Sequence, residues 1–122
     1  MKAVIDTCIL VDYLNGIAEG ARELDLYEEK IISIITYIEI LVGARNEKEE
    51  HLLRTFLASF HIRTLSPEIA DLSVRLRRQH RLKIPDAVVY ATARREGCNL
   101  VSRNTKDFSP DWPDVRVPYH SY

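Results

Sequence analysis

Two kinds of apolar pattern alternate along this chain: short continuous runs, and longer stretches in which apolar residues recur with helical spacing. The continuous runs predict buried strands at 2–5, 31–35, 62–65, 100–102 and 115–117, because a strand of a parallel sheet is covered on both faces. The periodic stretches predict helices at about 9–14, 18–27, 36–44, 48–60, 66–80 and 84–97. Strands separated by helices predict an α/β fold with a mainly parallel sheet covered on both faces, formed by one domain over residues 1–122.

Capping residues predict where several helices begin and end. Ser66 followed by Pro67 is a helix start, because the hydroxyl accepts a hydrogen bond from a free amide and proline suits the first helical position. Gly97 is expected to end the helix that begins near residue 84. Thr36 is expected to cap the third helix, with Glu39 completing a capping box in its first turn.

The amino-acid composition limits the kinds of protein that this sequence can form. Of 122 residues, 46% are apolar, which is enough for a full core without disulfides. Because the net charge is only −1, a nucleic-acid-binding surface would have to be a local basic face. Cys8 and Cys98 lack metal-ligand spacing and are expected to be buried free thiols, which indicates a reducing compartment. No apolar run approaches the ~20 residues that cross a bilayer, and no signal peptide is evident, so we expect a cytoplasmic protein with no membrane association.

Four acids stand where an apolar strand or helix begins or ends: Asp6, Glu39, Asp86 and Asp107. In a parallel sheet, ligands bind at the carboxyl ends of the strands, so these side chains are expected to meet at one edge. Converging carboxylates repel one another and need a cation between them. Oxygen ligands of this kind suit a divalent metal ion, and phosphoryl transfer is the chemistry such sites most often perform.

Most of these acids also have an ordinary structural explanation. Glu39 fits the capping box, Asp86 lies in a first helical turn where the helix dipole favours an acid, and Asn104 with Asp107 fits a turn. Asp6 directly follows a buried strand and has no evident structural task. The combination of four acids at one end of a sheet therefore favours a functional site more strongly than any single acid does.

A basic segment precedes Asp86 in the chain, and it is either a solvated helix face or a surface that contacts phosphates. Its candidate contact residues are Arg75, Arg78, Arg81 and Lys83. Asp12 is expected to be a solvated acid on the first helix. The four histidines share no ligand spacing, so the sequence does not predict a zinc site.

Four segments together resemble the PIN-domain family, most closely the VapC-type toxin ribonucleases: VIDTCILVDYL, ITYIEILVGA, PDAVVYATA and LVSRNTKDF. The resemblance covers nearly the whole chain in order. It implies a three-layer α/β/α sandwich and hydrolysis of RNA phosphodiester bonds with one or two Mg²⁺ or Mn²⁺ ions. It also implies a homodimer and a cognate antitoxin that covers the acidic cleft.

The resemblance assigns roles to particular positions. The implied catalytic and metal-binding residues are Asp6, Glu39, Asp86 and Asp107, with Thr7, Thr36, Ser102 and Asn104 in support. Some family members carry an acid where this chain has Asn104. Two questions therefore stay open, namely whether Asn104 or Asp107 supplies the fourth ligand and whether one or two metal ions bind.

Other functions fit parts of the pattern. A haloacid-dehalogenase-type enzyme needs an acid two residues after Asp6, where this chain has Cys8, and a response-regulator receiver needs an aspartate after the third strand, where it has Ser66. Two alternatives share the predicted fold: a housekeeping RNA-processing nuclease, and a non-catalytic module that binds nucleic acid or a protein partner. The four acids disfavour the non-catalytic alternative, and the absence of an added domain favours the toxin over the processing enzyme.

Overall fold

A five-stranded sheet forms the centre of the protein, as described by a computed structural model over residues 1–120. Its strands are β1 (Lys2–Ile5), β2 (Glu29–Ser33), β3 (His61–Arg63), β4 (Asn99–Val101) and β5 (Val115–Arg116). They lie in the order β3-β2-β1-β4-β5, and every neighbouring pair is parallel. The prediction of a parallel sheet is confirmed, and the central strand β1 places Asp6 in the middle of the sheet's carboxyl edge.

Helices cover both faces of the sheet. They are α1 (Thr7–Leu14), α2 (Ala18–Leu24), α3 (Ile34–Val42), α4 (Glu47–Leu57), α5 (Pro67–His80) and α6 (Ile84–Glu96). Alternate strand residues enter opposite cores, since Val4 packs with α5 and α6 whereas Ile5 packs with α1 to α4. The predicted three-layer α/β/α arrangement is therefore confirmed. Along the described residues, no helix has both the length and the apolar character that crossing a membrane requires.

The second strand ends earlier than predicted, which changes the position of Glu39. Ser33 is the N-cap of α3, and its Oγ accepts a hydrogen bond from Ile35 N at 3.1 Å. The prediction that Thr36 caps this helix is wrong, because Thr36 lies inside the first turn and is fully buried. Glu39 consequently lies in the second turn, where no free helix amide can donate a hydrogen bond to its carboxylate. The capping-box interpretation is therefore also wrong.

The corrected start of α3 can be tested by mutation. Ser33→Ala should lower the free energy of unfolding by about 1 kcal/mol, because the amide of Ile35 loses its acceptor in a buried position. Urea unfolding followed by circular dichroism measures this change. Ser66→Ala is the matched control, because Ser66 Oγ caps α5 through Ile69 N at 3.2 Å. A Ser33→Ala protein as stable as the wild type would contradict the assignment of Ser33 as the cap.

Candidate active site at the carboxyl edge of the sheet

Asp6 joins the central strand to the first helix. Its Oδ1 accepts a hydrogen bond from Thr7 N at 2.8 Å and so caps α1, and its Oδ2 accepts one from Ser102 Oγ at 2.7 Å. The expectation that Asp6 has no structural task is therefore wrong, because it ends a strand and begins a helix. Burial raises the pKa of its carboxyl above the ordinary value, against the hydrogen bonds from Ser102 and Thr7, and the charge of Glu39 adds to the increase.

Glu39 is held near Asp6 by the hydroxyl of Thr7, which is itself hydrogen-bonded to the hydroxyl of Thr36. Thr7 Oγ1 donates to Glu39 Oε1 at 2.6 Å and is hydrogen-bonded to Thr36 Oγ1 at 3.1 Å. Thr36 is fully buried, whereas Glu39 is exposed at the edge of the sheet. These contacts connect the start of α1 to α3 and fix an exposed carboxylate near the buried one.

Asp86 is the acid most affected by its neighbours. It lies in the first turn of α6 and is partly buried. Burial raises the pKa of its carboxyl to about 6, and the charges of Asp107, Asp6 and Glu39 act in the same direction against Lys83. The four acids predicted from the sequence thus share one electrostatic environment, although they come from four separate segments.

The loop after β4 contributes the remaining polar groups. Asn104 Nδ2 donates to Asp107 Oδ2 at 2.9 Å, and Asn104 N donates to Ser102 Oγ at 3.0 Å. Ser102 is buried and therefore connects this loop to Asp6. Asp107 carries the charge that acts on Asp86, while Asn104 holds the Asp107 carboxylate in place.

The donors at this edge suit a hard divalent cation. They are carboxylate, hydroxyl and amide oxygens, and at least two of the carboxyls have pKa values raised by burial and by like charges. Within residues 1–120, no three His, Cys, Asp or Glu side chains are grouped closely enough to enclose a metal ion. Magnesium is commonly held by one or two carboxylates and several waters. The site therefore fits a cation bound directly by one or two of the acids and through water by the others.

Asp12 was expected to be solvated, and this is wrong. It is 7% exposed, and its carboxylate accepts hydrogen bonds from Arg103 Nε at 2.6 Å and Arg103 Nη2 at 2.9 Å. Tyr119 Oη donates to the same carboxylate at 2.8 Å. Sequence reasoning missed Arg103 and Tyr119 because both lie more than ninety residues from Asp12.

The cysteines are free but only partly buried, which corrects the expectation of fully buried thiols. Cys8 Sγ lies 3.7 Å from both Asp6 Oδ2 and Ser102 Oγ. Burial, followed by the charge of Asp6, raises the pKa of this thiol to about 11. Cys8 is therefore a protonated neighbour of the site and not a nucleophile.

The predicted basic segment is exposed and lies at the end of α5 and in the loop to α6. Lys83 lies close enough to Asp86 to favour the charged form of that acid. Arg81 has a left-handed backbone, with φ of 58°, at the end of α5. Arg77 differs from its neighbours because it donates to the carbonyl of Leu82 at 2.5 Å, which orders this loop.

Comparison with known proteins gives consistent matches over most of the chain. A model of the PIN domain matches residues 3–109. The chain is 31% identical over 112 residues to Ribonuclease VapC1 of Methanocaldococcus jannaschii, covering 88% of this chain and 79% of that protein. It is 40% identical to a chain in a toxin–antitoxin complex from Klebsiella pneumoniae, with a TM-score of 0.92 over 98% of this chain and 99% of that one. The fold is shared with a chain of VapBC2 from Rickettsia felis, a structure bound to a promoter DNA fragment. The sequence identity is 23% and the TM-score is 0.77, over 88% of this chain and 91% of that one.

Proposed function

The chain belongs to the PIN-domain family, and we propose that it is the toxin ribonuclease of a toxin–antitoxin pair, with RNA cleavage that requires Mg²⁺ or Mn²⁺. The relative named a ribonuclease and the similar chain from a toxin–antitoxin complex support the activity and the partner. The observation that carries the proposal is that four acids from separate segments meet at one edge of the sheet, where burial, followed by the charges of Asp107, Asp6 and Glu39, raises the pKa of Asp86. Such a group of acids is stabilised by a cation and is costly without one.

The residues that would hold the cation are Asp6, Asp86 and Asp107, with Glu39 beside them. When bound, the ion supplies a Lewis acid that activates water and neutralises charge on phosphoryl oxygens. The chain's own groups position these acids: Ser102 holds Asp6, and Asn104 holds Asp107. Glu39 is oriented by Thr7 and is exposed, so it is placed to orient an attacking water or take its proton.

We propose that the exposed cations before α6 bind the RNA backbone next to the acids. A phosphodiester brings negative charge toward a negative site, so positive side chains beside that site favour its approach. Lys83 fits this role best, because its charge already acts on Asp86. Arg75 and Arg81 are exposed on the same segment and extend the positive surface along α5, and Arg78 lies where this surface meets the groove between α5 and α6.

Two apolar grooves suit the proposed protein partners. One lies between α5 and α6, where Leu65, Val74 and Ile84 are 50%, 47% and 65% exposed, and we propose it as the homodimer surface. The other is lined by α1, α3 and α4, with Val11 and Leu52 40% and 60% exposed. We propose that the antitoxin occupies this second groove, because α1 and α3 also carry Thr7 and Glu39 and lead a bound segment toward the acids.

Cleavage of cellular RNA by the purified chain, free of antitoxin, is the direct test. We expect discrete fragments with Mg²⁺ or Mn²⁺ and none with excess chelator, because the acids need the cation to act on a phosphodiester. Addition of the antitoxin should suppress cleavage. RNA binding without cleavage in any metal would favour the non-catalytic module. Cleavage that arrests growth only when the antitoxin is absent would separate a toxin from a housekeeping nuclease.

A further inference from the structure

Arg103 lies between Ser102 and Asn104, two residues that each hydrogen-bond to an acid of the site. Ser102 before it donates to Asp6, and Asn104 after it donates to Asp107. Arg103 itself does not point toward those acids, since its guanidinium makes two hydrogen bonds to Asp12. Asp12 lies in α1, the helix that Asp6 caps. The Asp12–Arg103 pair therefore connects α1 to the loop that carries Asp107, in addition to the hydrogen bond from Ser102 to Asp6.

Tyr119 adds the C-terminal segment to this connection. Its hydroxyl donates to Asp12 Oδ2, the oxygen that also accepts from Arg103 Nε. Gly20 lies beneath this contact, where a Cβ would come within 3.1 Å of Tyr13 N in α1 and within 3.4 Å of the tyrosine hydroxyl. Asp12 is thus fully engaged by two partners from distant parts of the chain, and its side chain is fixed.

We propose that Asp12, Arg103 and Tyr119 are positioning residues, which hold the loop that carries Asp107 against the helix that Asp6 caps. This inference rests on the proposed function. Bidentate arginine–carboxylate pairs fix both distance and orientation. A charged group turned away from the acids by Asp12 also cannot occupy the cation's place between them. Without the pair, this loop would keep the hydrogen bond from Ser102 to Asp6 but lose its second side-chain connection to α1, the one through Asp12.

The protein contains a second network of this kind, which serves as the control because its side chains make no hydrogen bond to the four acids, although the Arg116 carbonyl accepts a hydrogen bond from Ser102 N at 3.0 Å. Glu23 accepts two hydrogen bonds from Arg116, at 2.7 and 2.9 Å, and one from Tyr27 Oη at 2.7 Å. This second network has the same chemistry, a buried acid held by one arginine and one tyrosine, but it joins α2 to the edge strand β5. If the Asp12 network had a purely structural role, variants of the two networks would differ from each other only in stability.

The test compares Arg103→Met with Arg116→Met, and the milder Tyr119→Phe with Tyr27→Phe, in the full-length protein. The first readout is the Mg²⁺ concentration that gives half of the maximal thermal stabilisation. We expect Arg103→Met to raise it roughly 10-fold, because loss of a group that orients metal ligands typically weakens metal binding by about 10- to 100-fold. Tyr119→Phe should raise it by less, and the Glu23-network variants should leave it unchanged.

The second readout does not depend on metal. Amide hydrogen exchange at Asn104 and Phe108, which donate to Ser102 Oγ and the Asn104 carbonyl, should be faster in Arg103→Met than in Arg116→Met at matched global stability. Equal Mg²⁺ midpoints in Arg103→Met, Tyr119→Phe and the wild type would overturn the inference. A wild type that shows no Mg²⁺ stabilisation and no cleavage would instead remove the proposed function, while faster exchange in the loop would still support the connection between loop and helix.

Discussion

Replacing either Asp6 or Asp86 with asparagine is expected to abolish RNA cleavage while leaving the protein folded. Each substitution removes one negative charge from the proposed cation site. Loss of several kcal/mol of charge stabilisation in the transition state corresponds to about a thousandfold or more in rate. The fold should survive, because asparagine is as good an N-cap as aspartate at position 6, and its amide can still pair with Ser102.

The same substitutions should stabilise the protein when divalent cations are absent. The raised pKa of Asp86 means that its charge opposes folding at neutral pH. Once screening by solvent is allowed for, Asp86→Asn should gain about 1 kcal/mol in the free energy of unfolding. It should also lose the stabilisation that Mg²⁺ gives the wild type.

Thermal unfolding with chelator and with Mg²⁺, alongside a cleavage assay, measures both effects. Asp71→Asn is the matched control, because Asp71 is an exposed acid on α5 outside the site. It should change neither cleavage nor the response to Mg²⁺. Full cleavage by Asp6→Asn and Asp86→Asn would rule out the acidic site as the catalytic one.

Arg116→Met is expected to destabilise the fold by about 2–3 kcal/mol. Glu23 is 5% exposed, and removal of Arg116 leaves its charge with Tyr27 as its remaining hydrogen-bond donor. Breaking a buried ion pair by removing one partner typically costs about 3–5 kcal/mol, and the cost is lower here because Arg116 is partly exposed. Urea unfolding gives the measurement. Adding Glu23→Gln to Arg116→Met should recover part of the loss, since the uncompensated charge is removed.

This loss should depend on pH. Burial on its own raises the pKa of the Glu23 carboxyl, but hydrogen bonds from Arg116 and Tyr27 outweigh burial and hold that pKa below its ordinary value. A lowered folded-state pKa stabilises the protein above the ordinary pKa of 4.5, and the benefit is lost as the pH falls through the lower value. In Arg116→Met, burial becomes the dominant effect on the Glu23 carboxyl. Protonation of that carboxyl at low pH therefore removes the buried charge that destabilises the variant. The difference from the wild type should therefore shrink as the pH falls toward and below 4.5, and a constant difference would contradict the role of the ion pair.

The layered fold and the four acids could be predicted because they depend on short-range pattern. Continuous runs such as residues 31–33 mark buried parallel strands, and four separate segments each carry an acid in or next to such an element, which was sufficient for the family resemblance that the comparisons confirm. The start of α3 was missed because Ser33 and Thr36 are both acceptable caps and both are buried in the fold. Ser33 is the cap because β2 ends there, and this moves Glu39 from the first turn of the helix to the second. The role of Asp12 could not be predicted, because a surface aspartate and one paired with Arg103 look alike until the chain is folded.

The pairing of β1 with β4 also has a consequence for the protein during its own synthesis. Asp6 is made about a hundred residues before Ser102, which holds its carboxylate, and before Asp107. At about 5–20 residues per second, roughly 5–20 s separate the first of the four acids from the last. A nascent chain on the ribosome therefore lacks an assembled site until β4 has been made and has joined β1. The order of strands in the sheet delays assembly of the site well beyond the synthesis of its first acid.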